Sequence, residues 1–194
     1  MRVCMKKNLF SLSIVATTML ALSGSALAEG TDLDVNFTAN IRETTCDMKL
    51  VGGTGSDKQQ TLTIGKDGQV RLEDVKAGNA NAQFKIVIVE CPSSLRSLKT
   101  TIKGSPAAKL KTALTNQLIP SGGANWSGVE IARAISPEAP FLINSTDDAT
   151  RLVWTPEEIA NNEVQLVATL RETSAGEMTI GAFQTVGTFE FTYE

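Results

Sequence analysis

Apolar and polar residues alternate with period two near both ends of the chain and at several places between them. Leu33, Val35, Phe37, Ala39 and Ile41 occupy every second position, with Asp32, Asp34, Asn36, Thr38, Asn40 and Arg42 on the other face. Side chains of a strand point alternately to its two faces, so this spacing predicts a strand with one buried face. Val164, Leu166, Ala168 and Leu170 repeat the pattern, as do Phe189, Phe191 and Tyr193 at the C-terminal end. Phe84, Ile86 and Ile88 alternate with Lys85, Val87 and Val89 until Glu90-Cys91-Pro92 stops the run. Apolar residues on both faces predict a central strand there, buried on both sides. Shorter strands are expected at Leu62 and Ile64, at Val70 and Leu72, over 100–103, at Val129, Ile131 and Ile135, and over 152–154. Gly52, Gly53 and Gly55 mark a loop, and Lys66-Asp67-Gly68 marks a turn. Two helical signals interrupt the strands. Leu110, Leu114 and Leu118 recur at helical spacing, and Thr155-Pro156-Glu157-Glu158 has an N-cap, a first-position proline and an acidic first turn. Many short strands with turn residues at about ten-residue spacing predict an all-β sandwich. No fixed-period repeat and no linker divides it.

The first residues have a different pattern. Arg2, Lys6 and Lys7 form a basic head, residues 9–22 are mostly apolar, and Ala26-Leu27-Ala28 supplies small residues at the spacing a signal peptidase reads. Residues 1–28 are therefore expected to be a cleaved signal peptide; an uncleaved N-terminal anchor is the other reading of such a segment. The apolar run is short for a bilayer span and nothing later approaches that length, so direct membrane insertion is not expected of residues 29–194. Loss of the leader removes three basic residues and no acidic ones, making the formal charge of −3 three units more negative. An acidic chain lacks the basic footprint that nucleic acid requires.

Of the three cysteines, Cys4 lies in the leader, leaving Cys46 and Cys91 in a chain addressed to an oxidising compartment. They are expected to form a disulfide. A metal site fails for want of partners, since the chain has no histidine and the two are not a close C-x-x-C pair. The lack of histidine also removes Ser-His-Asp and Cys-His chemistry. Gly52-Gly53-Thr54-Gly55 lacks the Gly-Lys-Ser/Thr ending of a phosphate loop. No enzyme activity and no cofactor is expected.

Three stretches together resemble the type 1 pilin family of chaperone–usher fimbriae. The first is Val35-Asn36-Phe37-Thr38-Ala39-Asn40-Ile41, followed five residues on by Cys46. The second is Phe84-x-Ile86-x-Ile88-x-x-Cys91-Pro92. The third is Gly181 with Thr188-Phe189-Glu190-Phe191-Thr192 and Tyr193. Ala39 departs from the pattern, standing where members often carry glycine.

The resemblance implies an immunoglobulin-like β-sandwich lacking its last strand and completed by donor-strand complementation. It implies residues 29–41 as a donor arm and 42–194 as the pilin domain. Leu33, Val35, Phe37, Ala39 and Ile41 would be the donated face, with Gly181, Phe189, Phe191 and Tyr193 on the chaperone- and groove-binding strand. The partners it implies are neighbouring subunits, a periplasmic chaperone and an outer-membrane usher, and the destination is an extracellular fimbrium supporting adhesion. Strand donation by pilins is a known instance of β-strand addition. Burial of the four large apolar groups of the arm, at about 1.5–3 kcal/mol each, gives on the order of 10 kcal/mol before ordering costs. The arm pattern is also what an ordinary first strand would show, and a β-sandwich binding module that does not polymerise is the alternative function.

Overall fold

The computed structural model describes residues 46–193. The expected leader and donor arm, including Leu33, Val35, Phe37, Ala39 and Ile41, lie outside the described residues. The described part falls within one compact unit, residues 42–194.

The strands are β1 (Asp47–Val51), β2 (Thr54–Gly55), β3 (Gln60–Thr61), β4 (Asn81–Glu90), β5 (Leu98–Lys103), β6 (Ala113–Thr115), β7 (Ser127–Arg133), β8 (Leu152–Val153), β9 (Glu163–Glu172) and β10 (Thr188–Tyr193). Two short helices, α1 (Leu72–Lys76) and α2 (Pro156–Ala160), lie against β9. One sheet has the order β1-β4-β9-β7-β6, a second β10-β5-β8, and β2-β3 is a small hairpin. Every pairing is antiparallel.

A single core joins the two larger sheets. Phe84, Ile86 and Ile88 of β4 and Val164, Leu166 and Leu170 of β9 share it with Leu98 and Ile102 of β5 and Leu152 of β8. Trp154 closes it, donating its indole N–H to the buried Thr100 hydroxyl at 3.0 Å. The expected disulfide is present between Cys46, just before β1, and Cys91, just after β4. It pins the edge of the first sheet across a sequence separation of 45. In chain-entropy terms that is worth roughly 4 kcal/mol.

Five local expectations are corrected. Residues 62–64 form no strand; Leu62 and Ile64 only rest against the core. Leu72 opens a helix rather than a strand, with Glu73 and Asp74 in its first turn, Lys76 in its last, and Val75 buried. Acids at the start and a base at the end complement the helix dipole. Leu110, Leu114 and Leu118 do not lie along a helix. Leu114 is on strand β6 opposite Val129 and only 2% exposed, so sheet pairing overrides the helical spacing. The strand buried on both faces is β9, at the centre of five, where Val167 and Thr169 are buried as well as Val164 and Leu166. β4 is one place nearer the edge, and its Val89 is 54% exposed. Ile135 falls beyond β7 and is 84% exposed.

The helix expected after Thr155 is α2. Thr155 accepts from the Glu158 N–H, and Glu158 reaches back to the Thr155 N–H, a complete capping box. The Lys66-Asp67-Gly68 turn is also observed, bridged between Lys66 and Gln69.

Candidate functional site: an open sheet edge

A sheet edge exposes main-chain N–H and C=O groups that invite another strand, and stable proteins cover such edges. Four strands end the two larger sheets here: β1, β6, β8 and β10. Three of them are covered.

The main chain of β1 alternates between its two sides. Ile88 donates to the Asn162 carbonyl on the β9 side, so residues of its parity on β4 face β9 and Val87 and Lys85 face β1. Their partners Lys49 and Val51 are thus tied to β4, while Met48 and Leu50 turn their main-chain groups outward. Three of those four groups are taken. The Leu50 N–H donates to the Asp57 carbonyl at 2.8 Å, Gln60 Nε2 donates to the Leu50 carbonyl at 2.8 Å, and Lys58 Nζ donates to the Met48 carbonyl at 2.6 Å.

On β6 the outward groups of Ala113 and Thr115 pair with Ala107 and Ser105. On β8, Val153 turns its carbonyl outward to Arg133 Nη2 at 2.6 Å. Arg133 is itself held by Glu158, Nε to Oε1 at 2.7 Å and Nη2 to Oε2 at 3.0 Å. Burial works against the Glu158 charge, but hydrogen bonds from Arg133 and the Thr155 main chain prevail and hold its pKa below the ordinary glutamate value.

β10 differs. Ile102 and Leu98 accept from Asn144 and Trp154 on the far side of β5, so the Lys103, Thr101 and Lys99 main chains face β10. Their partners are Thr188, Glu190 and Thr192. It follows that Phe189, Phe191 and Tyr193 direct their N–H and C=O groups away from β5. Among the described residues no strand lies on that side.

The side chains of the same residues are only partly covered. From Phe183 to Tyr193 the odd positions are half-buried and the even ones exposed, without one fully buried residue. Phe183, Phe189, Phe191 and Tyr193 rest against the core, and the Phe84 and Phe189 rings sit 5.8 Å apart. Among the described residues, the combination is a main-chain edge without a partner strand beside a half-covered apolar face. Glu190 faces outward and pairs with Lys103 at 3.2 Å.

One end of this strip is closed. The Tyr193 hydroxyl donates to the Cys46 carbonyl at 3.4 Å, bringing the end of β10 to the start of β1 and the disulfide. Burial, with the nearby Asp47 charge, raises the Tyr193 pKa against the opposing effects of that bond and Lys58, so the phenol stays neutral at neutral pH.

The structure thus brings together Cys46, Cys91, Phe189, Phe191 and Tyr193 from the sequence-derived set. Gly181 lies apart from β10, outside any strand, at φ 152°. A Cβ there would come within 2.6 Å of the Ala124 nitrogen, so glycine lets the chain press against the loop at residues 123–124. Asn116 organises that region and carries no sequence signal of its own. Buried, it donates to the Ala124 and Ala182 carbonyls at 2.8 and 2.9 Å, and its side-chain oxygen accepts from Gln184 and Leu118 at 3.0 Å. It sets the course of the chain into β10. Among the described residues no group of acidic or cysteine side chains is placed to hold a metal ion, and no helix is long and apolar enough to cross a membrane.

Comparison with known proteins agrees with this geometry. The chain is 29% identical to an uncharacterized fimbrial-like protein, YadM, of Escherichia coli (strain K12), over 93% of this chain and 96% of that one. The fold matches the rod subunit PapA of the P pilus, with a TM-score of 0.50 at 18% identity over 83% of this chain and all of PapA. It also matches a chain from a chaperone–usher pilus, with a TM-score of 0.51 at 17% identity over 85% of this chain and 97% of that one. The family model for fimbrial proteins matches residues 35–194. With that match running from before Cys46 through the last strand, the chain belongs to the fimbrial protein family, as a structural, non-enzymatic subunit of a fimbria.

Proposed function

We propose that the open edge of β10 accepts a strand from another copy of this chain, and that the donated strand is residues 29–41. The observation that carries this reading is the contrast among the edges: β1, β6 and β8 are covered from within the chain, whereas among the described residues nothing fills the outward main chain of β10 or the uncovered half of its apolar face. Strand addition supplies what is lacking, main-chain partners for Phe189, Phe191 and Tyr193 and apolar groups to cover their side chains. The arm has the matching pattern, with Leu33, Val35, Phe37, Ala39 and Ile41 on one face. Main-chain bonds give adhesion, and the alternate side chains fix the register, since a slip of one residue would turn the polar face inward.

Before a neighbouring subunit arrives, the same edge requires another occupant. A periplasmic chaperone in that role, followed by transfer at an outer-membrane usher, fits a fimbrial subunit and the chaperone–usher pilus whose fold this chain shares. On this reading residues 1–28 are a leader removed during export, and the assembled product is an extracellular fimbrium.

Deletion of residues 29–41 tests the donor role. The truncated subunit should still be recovered with the chaperone and should accept a strand from a wild-type copy, yet should not cap the edge of another subunit. A truncated subunit that extends fibres as the wild type does would refute the donor assignment. One that unfolds while chaperone-bound would make the arm an ordinary core strand.

A further inference from the structure

The outer edge of β1 is also capable of strand addition, and the chain spends a whole hairpin on closing it. Gly52 and Gly53 leave the end of β1, and β2 and β3 then double back along it, with Thr54 opposite Thr61 and Gly55 opposite Gln60. The reversal is tight. Gly55 adopts φ 134°, and a Cβ there would lie 2.3 Å from the Gln59 carbonyl oxygen. Gln60 is locked in place by the Gly53 N–H, which donates to its Oε1 at 2.9 Å, leaving Nε2 for the Leu50 carbonyl. Lys58 is held on the Asp47 carboxylate while it serves the Met48 carbonyl. One main-chain group and two side chains therefore satisfy three of the four outward-facing groups of Met48 and Leu50.

We propose that the hairpin Thr54–Thr61 is an edge guard, which confines strand addition to β10 by excluding a second copy of this chain from pairing β1 to β1. A second copy is the relevant intruder because two β1 strands can pair about a twofold axis with Leu50 opposite Leu50, each presenting the outward groups the other lacks. A subunit assembled at high local concentration meets its own copies most often. With two acceptor edges it would branch or cross-link; with one it can only extend. The guard uses side-chain amide and ammonium donors rather than a full strand. It therefore neutralises the edge without creating a new one of length, since β2 and β3 have two residues each.

The test uses residues 29–194 as wild type, as Lys58→Ala/Gln60→Ala and as Gln60→Glu, each with excess synthetic peptide of residues 29–45 to occupy β10. Hydrogen exchange reports the Leu50 amide, and light scattering reports mass over about a hundredfold range of concentration. In both variants the Leu50 amide should exchange about tenfold faster at the lowest concentration, the effect of losing the bonds that pin the hairpin. At the highest concentration both should dimerise, with protection returning over Met48–Val51. Unchanged Leu50 exchange, or faster exchange in a chain that stays monomeric throughout, would overturn the proposal. Protection of β9 amides shows that each variant is folded. The reading of β10 is separable, because a peptide that fails to protect Phe189–Tyr193 counts against that reading and leaves the Leu50 measurement intact.

Discussion

β1 and β10 begin from similar materials and end in opposite states. Each has apolar residues directed at the core, and each turns alternate main-chain groups away from its paired neighbour. Around β1 the chain supplies Asp57, Lys58 and Gln60 to meet those groups, and the disulfide ties the strand's start to the end of β4. Along β10 the described residues supply nothing on the outer side, and Phe189, Phe191 and Tyr193 stay half-buried. Among the described residues, the difference separates an edge that the fold closes by itself from one that it leaves open. A lone edge of this kind would be a liability in a free monomer. In the function proposed above, it is the joint between subunits.

The hardest blow to this contrast is a charge on the apolar side of the open edge. Phe191→Asp places a carboxylate on the inward-facing, half-covered row, where it would have to be buried once a partner strand arrives. Burying an unpaired charge costs several kcal/mol, more than a subunit of marginal stability can spare. The expected result is loss of recoverable subunit from the periplasm and absence of fibres, measured by steady-state level and electron microscopy. The comparison is Glu190→Ala on the outward row, which should change little, because an exposed pair such as Glu190–Lys103 is worth at most about 1 kcal/mol. If the two substitutions had equal effects, the alternation on β10 would have no functional meaning.

Much of this asymmetry was legible in the sequence, and the unread part has a physical cause. The Phe189-x-Phe191-x-Tyr193 alternation predicted the strand and its apolar face, and the two cysteines predicted the bond that anchors β1. Thr155 and Glu158 announced α2, because a capping box is local chemistry. What stayed hidden was set by contacts distant in sequence. Nothing in Gln60 or Lys58 says that their side chains reach back to β1 carbonyls ten residues away. Asn116 likewise looks like any loop asparagine until residues 124 and 182 close around it. Leu114 is misleading for a related reason: its helical spacing with Leu110 and Leu118 is local, whereas its pairing with Val129 is not.

A milder test concerns an edge that a single ion pair covers. Arg133 holds the Val153 carbonyl of β8 and is in turn held by Glu158. The Glu158 pKa is lowered in the fold, so its contribution to stability is present above the unfolded glutamate value and is lost as pH falls through the lower folded value. Glu158→Gln should therefore reduce stability at neutral pH by about 1–3 kcal/mol, the range for a hydrogen-bonded charged group. The gap from wild type should shrink on acidification below about pH 4. Thermal unfolding across pH, with β10 filled, measures it. A gap that persisted unchanged in acid would mean that Glu158 acts only through the α2 cap.

The smallest effect is expected where the two contrasted edges meet. Tyr193 ends the open strand with its hydroxyl on the Cys46 carbonyl at 3.4 Å, a long bond, while its ring rests against the core. Tyr193→Phe keeps the ring and removes only that bond, which should cost no more than about 1 kcal/mol. Tyr193→Ala removes the ring as well and should cost roughly 1.5–3 kcal/mol. The raised pKa of the phenol supplies a second readout. Folding favours its neutral form, so its contribution is complete below the unfolded tyrosine value near 10 and is lost as pH rises through the higher folded value. Wild type should therefore lose stability in alkali relative to Tyr193→Phe, closing the small gap between them. Were Tyr193→Phe as damaging as Tyr193→Ala at neutral pH, the hydroxyl rather than the ring would hold β10 to the start of β1. The closed end of the strip would then be a polar clasp rather than an apolar contact.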